Sequence, residues 1–222
     1  MAPHSKPMHY NPSEYIQTAL TGNHVSKRSV ILGSANIILG GKCILHQGAV
    51  IRGDLKRSLP SSSSSAPSSS ATSASGPGAE ATPRERAPQQ TIVVMIGRYC
   101  LLDEGCVIRP PYKTYRGQFS YYPLKMGDHV SIGANSVVEA AALGSHVEVG
   151  ANCVIGRFVM IKDCVRILDN SVVAPNTVIP PYSIYGGSPA KLVGELPEMF
   201  LESCEAKRKD YYQRFKPATD HR

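Results

Sequence analysis

The fold of this chain is decided by residues 143–185, LGSHVEVGANCVIGRFVMIKDCVRILDNSVVAPNTVIPPYSIY. In this stretch a large apolar residue recurs every six positions: Leu143, Val149, Ile155, Ile161, Ile167, Val173, Ile179 and Tyr185. A six-residue period fits neither an α-helix nor ordinary hairpins. It fits a short strand followed by a tight corner, and three such units form a triangular coil. Successive coils would stack at strand spacing, about 4.8 Å.

The same period continues upstream in three groups: Met126, Ile132 and Val138; Ile96, Leu102 and Ile108; Leu39, Leu45 and Ile51. We therefore predict an all-β chain, a single-stranded left-handed parallel β-helix of hexapeptide repeats shaped as a triangular prism, with a C-terminal α-helix. Glycine and asparagine are expected at corners that need unusual φ and ψ. The β-helix is expected at 25–192, with an irregular first coil at 25–38. Residues 1–24 are an expected N-terminal extension, and 193–222 an expected C-terminal helix and tail.

The phase of the repeat assigns each inward residue to one of three prism faces, named A, B and C in chain order. Face A holds Leu45, Leu102, Ile132, Val149, Ile167 and Tyr185. Face B holds Ile51, Ile108, Val138, Ile155 and Val173. Face C holds Leu39, Ile96, Met126, Leu143, Ile161 and Ile179. Three breaks in the period, at 55–90, at 110–125 and between Val138 and Leu143, all fall between a B unit and a C unit. Both long insertions should leave the prism at this corner.

The two insertions differ in composition. Residues 58–90 are rich in Ser, Pro and Ala without an apolar pattern, which predicts a disordered tether. The loop at 110–125 instead carries a set of aromatic residues: Tyr112, Tyr115, Phe119, Tyr121 and Tyr122. These rings either pack back on the prism or form a protein-contact surface, where tyrosine is enriched.

The composition limits the classes of function. The formal net charge is +7, with basic clusters at Lys207–Lys209 and Lys27–Arg28. Nucleic-acid binding is one possible meaning of this balance, but a solvated basic surface facing acidic protein partners is expected, with no nucleic acid bound. Without a run of eighteen apolar residues, no membrane insertion is expected, and without a signal-peptide stretch the expected compartment is the cytoplasm. The 6 cysteines lie inside repeats without a CxxC pair and are expected to be reduced core thiols.

Three segments resemble the γ-class carbonic anhydrases: AVIRGDL at 49–55, IGRYCLLDEGCVIRP at 96–110 and MGDHVSIGANSVVEAAALGSHVEVGANCVIG at 126–156. The metal-binding histidines of that family match Arg109, Ala134 and Glu139 here. Zinc needs about three neutral or anionic ligands, and Arg109 brings a permanent cation instead. We therefore expect no catalytic residue, no metal and no cofactor, with an Arg109–Glu139 ion pair in their place. A γ-carbonic-anhydrase-like metalloenzyme is the alternative function.

Two other features are candidates for sites. His129 and His146 occupy the same repeat position on face C, one coil apart, and Cys164 follows on the next coil. This column could hold a metal only with a third ligand that the sequence does not identify, so a solvated corner column is expected. Arg52 and Asp54, from an Arg-Gly-Asp triplet, are interface or corner candidates. The candidate protein-interaction residues are the five aromatic residues and six polar ones: Arg52, Asp54, Arg109, His129, Glu139 and His146. Cys164 is not among them.

Longer segments resemble the dynactin subunit 5 family: NPSEYIQTALTGNHVSKRSVILGSANIILGGKCI at 11–44, CVIRPPYKTY at 106–115, YYPLKMGDHVSI at 121–132 and GANCVIGRFVMIKDCVRILDNSVVAPNTVIPPYSIYGG at 150–187. The resemblance implies a non-catalytic structural and cargo-adaptor docking subunit of the dynactin pointed-end complex, which supports dynein-driven transport along microtubules. It implies a location at the cytoskeleton in the cytoplasm. The implied partners are dynactin subunit 6, the pointed-end actin-related protein, dynactin subunit 4 and dynein cargo adaptors.

Overall fold

The computed structural model describes residues 8–55 and 92–218, so the tether predicted at 58–90 lies outside the described residues. Two short strands come first, β1 (Met8–Tyr10) and β2 (Tyr15–Gln17). The chain then winds through six coils, each with one strand on each of the faces A, B and C.

The strands of the coils are short because each occupies only the straight part of a hexapeptide. Coil one holds β3 (His24–Ser26), β4 (Val30–Leu32), the 3-10 helix η1 (Ser34–Asn36) and β5 (Ile37–Leu39). Coil two holds β6 (Ile44–Leu45), β7 (Val50–Arg52) and β8 (Val94–Ile96). Coil three holds β9 (Leu101–Leu102), β10 (Val107–Ile108), β11 (Tyr112–Tyr115), β12 (Gln118–Tyr121) and β13 (Leu124–Met126). Coil four holds β14 (Ser131–Ile132), β15 (Val137–Val138) and β16 (Ala142–Leu143). Coil five holds β17 (Glu148–Val149), β18 (Val154–Ile155) and β19 (Met160–Ile161), and coil six β20 (Arg166–Ile167), β21 (Val172–Val173) and β22 (Val178–Ile179).

The chain leaves the last coil through four further elements: β23 (Ser183–Gly186), β24 (Lys191–Glu195), α1 (Phe200–Arg214) and β25 (Phe215–Pro217). β23 extends the face A sheet, and β24 pairs with it in antiparallel fashion. Helix α1 then returns along face A, and β25 pairs in parallel with β1. The predicted C-terminal helix is therefore present, but it begins at Phe200 because residues of the expected helical segment first form β24.

The assignment of inward residues to faces is confirmed by strand register. On face A, Leu45 pairs with Leu102 and Ile132 with Val149. The face B and face C sheets each contain six parallel strands, in the orders β4–β7–β10–β15–β18–β21 and β5–β8–β13–β16–β19–β22. The expectation of an irregular first coil at 25–38 holds only in part, because Val25 pairs in register with Leu45. The irregularity of that coil is confined to η1.

The prediction that the breaks share one corner is confirmed. In coils one to four, the B–C corner is formed by η1, by the segment between β7 and β8, by the β11–β12 hairpin and by the short link between β15 and β16. In coils five and six, residues 156–159 and 174–177 form a regular four-residue corner. The N-terminal part of the prism thus carries its irregular connections along one edge.

Left-handed backbone conformations form columns at the other two corners. The A–B corner column consists of the expected residue types: Gly48, Gly105, Asn135, Asn152 and Asn170. The C–A corner column does not: Lys42, Tyr99, His129, His146, Cys164 and Tyr182 have φ between 54° and 61°. Large side chains rarely adopt this conformation, so stacking along the column must offset its cost.

Some glycines of the repeat have a different role from the one expected. Gly150 lies outside the left-handed region, yet a Cβ added there would approach the backbone nitrogen of Asp169 to 2.7 Å. The next coil passes too close for any side chain. Close approach, rather than unusual φ, therefore requires this glycine.

Inward side chains from all coils form one continuous core. All six cysteines are free and buried, which confirms the prediction of core thiols. Face A is covered on its outer side by α1, which contributes Phe200, Cys204 and Arg208 to the buried residues. No described helix has the length and apolar character needed to cross a membrane.

Candidate protein-interaction surface

The outer surface of the face B sheet is apolar because every strand presents a valine outward. The six valines stand in register, one on each coil: Val30, Val50, Val107, Val137, Val154 and Val172. We call these six residues the valine face. Val154 is 44% exposed and Val172 37%, whereas their inward neighbours Ile155 and Val173 are buried, as strand alternation requires.

The other two outer surfaces are covered or interrupted by charge. On face A, the outward side chains His24 and Glu148 are buried beneath the N-terminal segment and α1. On face C, the outward column is also largely apolar and exposed, but Lys125 places a charge within it, between Met95 and Ala142. Six strands about 4.8 Å apart give the valine face a length of about 24 Å. The valines on coils one, five and six are exposed and the three between them are half-buried. A contiguous apolar surface of this kind marks protein contact sites.

An ion cluster lies beside the valine face, at the B–C corner. The predicted pair between Arg109 and Glu139 is present, joining adjacent coils. Arg157 approaches the second carboxylate oxygen of Glu139 to 4.0 Å. The Glu139 side chain is only 13% exposed, so its charge is held between two guanidinium groups. Two positions that match carbonic anhydrase ligands are thus occupied by an ion pair, while the third, Ala134, lines a groove along α1.

Arg52 and Asp54 form a second ion pair on this edge, on coil two. The Arg52 guanidinium donates from Nε at 2.7 Å and from Nη2 at 2.8 Å to the two carboxylate oxygens of Asp54. These hydrogen bonds lower the pKa of Asp54 below its usual value. Because both side chains are more than a third exposed, the pair contributes at most about 1 kcal/mol to stability. Its position suits the polar rim of the valine face better than a role in stability.

The predicted aromatic loop is a β-hairpin that stands on the B–C corner. β11 and β12 are joined by Arg116 and Gly117, which have φ of 49° and 77°. Positive φ at both central residues is the requirement of a type I′ turn, whose twist suits a two-residue hairpin.

The base of the hairpin packs on the prism and its tip does not. Arg157 lies 4.5 Å from the ring centre of Tyr112, and the Tyr122 and Phe158 ring centres are 5.3 Å apart. At the other end Tyr115 is 59% exposed and Phe119 40%. Packing on the prism is therefore found for Tyr112 and Tyr122. The exposed rings of Tyr115 and Phe119 remain candidates for a protein contact.

Comparison with known proteins identifies the family. A family model described as dynactin subunit 5 matches residues 89–221, more than half of the chain. The chain belongs to the dynactin subunit 5 family. A curated relative, dynactin subunit 5 of Dictyostelium discoideum, is 34% identical over 138 residues, which is 62% of this chain and 51% of the relative. The chain thus spans about half the length of that relative.

Solved structures support the fold of this dynactin subunit 5 family member. A hexapeptide transferase family protein from Anaplasma phagocytophilum superposes with a TM-score of 0.54 at 14% identity, covering 90% of this chain and 94% of that one. AntD, an N-acyltransferase from Bacillus cereus, gives 0.54 at 15% identity, covering 85% and 87%. At these identities the likeness concerns the hexapeptide-repeat fold alone.

The predicted histidine column is present and belongs to a longer stack in this family member. Tyr99, His129 and His146 lie ring on ring, with centres 5.1 and 5.2 Å apart. Cys164, on the next coil, packs with apolar residues of α1 instead. Glu205 of α1 reaches the column, and its Oε1 is 3.3 Å from Nε2 of His146. The sequence analysis missed this carboxylate.

The three basic side chains at residues 207–209 all form ion pairs within the chain. Lys207 and Arg208 each donate to Oε1 of Glu148, at 3.1 and 2.9 Å, and Lys209 donates to Glu205 at 2.6 Å. Burial would raise the pKa of Glu148, but the hydrogen bond from Lys207 and the surrounding positive charges outweigh it and lower that pKa. Lys207 and Arg208 thus dock α1 on face A, whereas Lys209 pairs within the helix, and the Lys207 and Lys209 side chains stay 62% and 46% exposed.

The valine face was also missed, although its signal is in the sequence. Each inward residue of face B is immediately preceded by valine, in the dipeptides at 30–31, 50–51, 107–108, 137–138, 154–155 and 172–173. Examining the outward position of each hexapeptide would have revealed it. The docked position of Glu205 had no comparable signal.

Proposed function

We propose that this member of the dynactin subunit 5 family is a non-catalytic structural and cargo-adaptor docking subunit of the dynactin pointed-end complex. In that role it supports dynein-driven transport along microtubules, in the cytoplasm and at the cytoskeleton. The observation that carries the proposal is the valine face with its rim of ion pairs. An apolar centre bordered by polar groups is the usual anatomy of a protein interface.

The occupant proposed for the valine face is dynactin subunit 6. A flat sheet suits a partner that also offers a flat sheet, which a related prism provides. A standard interface covers about 800 Å² on each partner, a patch of about 30 Å across. The valine face reaches about 24 Å, so the hairpin tip would contribute the remaining contact. The pointed-end actin-related protein, dynactin subunit 4 and dynein cargo adaptors are proposed to bind other parts of the surface.

The ion cluster supports the non-catalytic part of the proposal. A metal centre of the carbonic anhydrase type would require neutral or anionic ligands where Arg109 stands. Its guanidinium pairs with Glu139 and repels a divalent cation. We expect no CO₂ hydration above the uncatalysed rate with zinc added. Hydration that is abolished by Glu139→Gln would favour the metalloenzyme alternative.

Val154→Glu tests the docking surface. The substitution places a carboxylate on the fifth coil of the valine face, where binding would desolvate it without a partner, at a cost of several kcal/mol. We expect at least about a tenfold loss of affinity for purified dynactin subunit 6, since about 1.4 kcal/mol corresponds to that factor. Titration by isothermal calorimetry measures it.

The matched control is Val193→Glu, which adds the same charge to an outward valine that is 62% exposed on β24. This variant should bind dynactin subunit 6 like the parent chain. Circular dichroism verifies that both variants keep the β-helix. Equal affinity of Val154→Glu and the parent would remove the valine face from the interface.

A further inference from the structure

The C–A corner brings three potential metal ligands together from separate parts of the chain. His129 precedes coil four, His146 precedes coil five, and Glu205 lies one turn into α1. One ligand atom from each residue lies within 4.8 Å of the other two. Two imidazoles and one carboxylate form a ligand set used for divalent transition metals in proteins.

One of the two histidines has a buried ring nitrogen without a hydrogen-bond partner. His129 is buried, and its Nδ1 has no hydrogen-bond partner. An unsatisfied buried nitrogen is costly, and a bound metal ion would satisfy it.

The carboxylate is held in a position to complete the set. Oε2 of Glu205 accepts a hydrogen bond from Lys209 at 2.6 Å, while Oε1 faces His146. One oxygen is thus oriented by a neighbouring cation, and the other is hydrogen-bonded to His146, a contact that a metal ion between the two residues would replace. Such secondary contacts commonly fix the orientation of metal ligands.

We propose that His129, His146 and Glu205 bind one Zn²⁺ ion, with water in the fourth position. Tetrahedral zinc separates its ligand atoms by about 3.3 Å. The His146 and Glu205 atoms are already 3.3 Å apart, and side-chain rotation has to shorten the other separations by at most about 1.5 Å. The ion would fasten α1 to coils four and five. This site lies at a different corner from Arg109 and Glu139, and it is independent of the docking role of the valine face.

Equilibrium dialysis of the full chain against ZnCl₂, after treatment with a chelator, tests the site. We expect one Zn²⁺ per chain and a rise in melting temperature when zinc is added. Glu205→Gln and His146→Asn should each weaken zinc binding by at least about 100-fold, and neither should show the zinc-dependent rise in melting temperature.

The matched controls are Glu202→Gln, which removes an exposed carboxylate from the same helix, and His9→Asn, which removes an exposed histidine. Both should bind zinc like the parent. Absence of stoichiometric zinc in the parent, or unchanged binding by Glu205→Gln, would overturn the proposal. If a ligand variant fails to fold, the visible spectrum of the parent chain loaded with Co²⁺ tests the site instead. We expect the spectrum of tetrahedral cobalt, and a purely octahedral spectrum would contradict the proposal. Binding to dynactin subunit 6, measured separately, keeps the two proposals distinguishable.

Discussion

Val154 and Ile155 are adjacent in β18, yet their side chains lie in opposite environments. Val154 is 44% exposed on the valine face, while Ile155 has no exposed surface. Ile155 pairs in register with Val138 above it and Val173 below it. Each inward residue is therefore shared between coils, and a change there affects three coils together.

Ile155→Asp should destabilise the fold by at least about 4 kcal/mol, because it buries a charge without a partner and removes a core side chain. Urea unfolding followed by circular dichroism measures the loss. Val154→Asp is the control, since the same carboxylate would point to solvent and cost at most about 1 kcal/mol. Similar losses in the two variants would contradict the inward assignment of Ile155.

At the scale of elements, helix α1 is attached to face A through buried charge as well as apolar contact. Glu148 accepts hydrogen bonds from Lys207, Arg208 and Arg166, at 3.1, 2.9 and 3.0 Å. The Arg208 side chain is only 7% exposed. Loss of the carboxylate would leave that cation buried without its counter-charge.

Glu148→Gln should therefore cost about 3 kcal/mol near neutral pH. The folded pKa of Glu148 is lowered, so the contribution is present above the unfolded value, about 4.3, and is lost as pH falls through the folded value. Urea unfolding of parent and variant across this range should show the difference shrinking in acid. The exposed Glu202→Gln is the control, and a difference that does not depend on pH would refute the assignment.

The elements differ in how far the sequence determines them. The prism, its faces and its decorated corner could be predicted from the six-residue period. The position of each apolar residue in that period also fixes the face on which it lies. The docking of α1 could not, since Arg208 meets Glu148 across 60 positions and Tyr211 meets His46 across 165. Such contacts depend on the path of β24 and the turn before α1. The position of Glu205 beside the histidines follows from that docking, and it was missed for the same reason.

At the scale of the whole molecule, the long insertion joins two strands that are already close. β7 ends at Arg52 on face B and β8 begins at Val94 on face C, and Ile51 and Ile96 lie in the same core. Residues 58–90, proposed as a tether, contribute no hexapeptide to the pattern. The prism should therefore be complete without them.

Deletion of residues 58–90 should leave the melting temperature within about 2 °C of the parent, since a shorter closed loop changes the chain entropy only slightly. The remaining residues of the link outnumber those of the regular corner at 156–159. Differential scanning calorimetry makes the comparison. Deleting the hairpin residues 113–120, whose neighbours pack against Arg157 and Phe158, should be more harmful. A large drop for the first deletion would show that the insertion is structural.

The pairing of β1 with β25 has a consequence for the order of synthesis. Residues 8–10 leave the ribosome early, but their strand partner, 215–217, is made after all six coils. A nascent chain can wind its prism coil by coil while one side stays unfinished, with His24 and Glu148 still open to water. Synthesis of α1 and β25 then closes that side in a single event, so a chain stalled shortly before residue 200 would present this surface to chaperones.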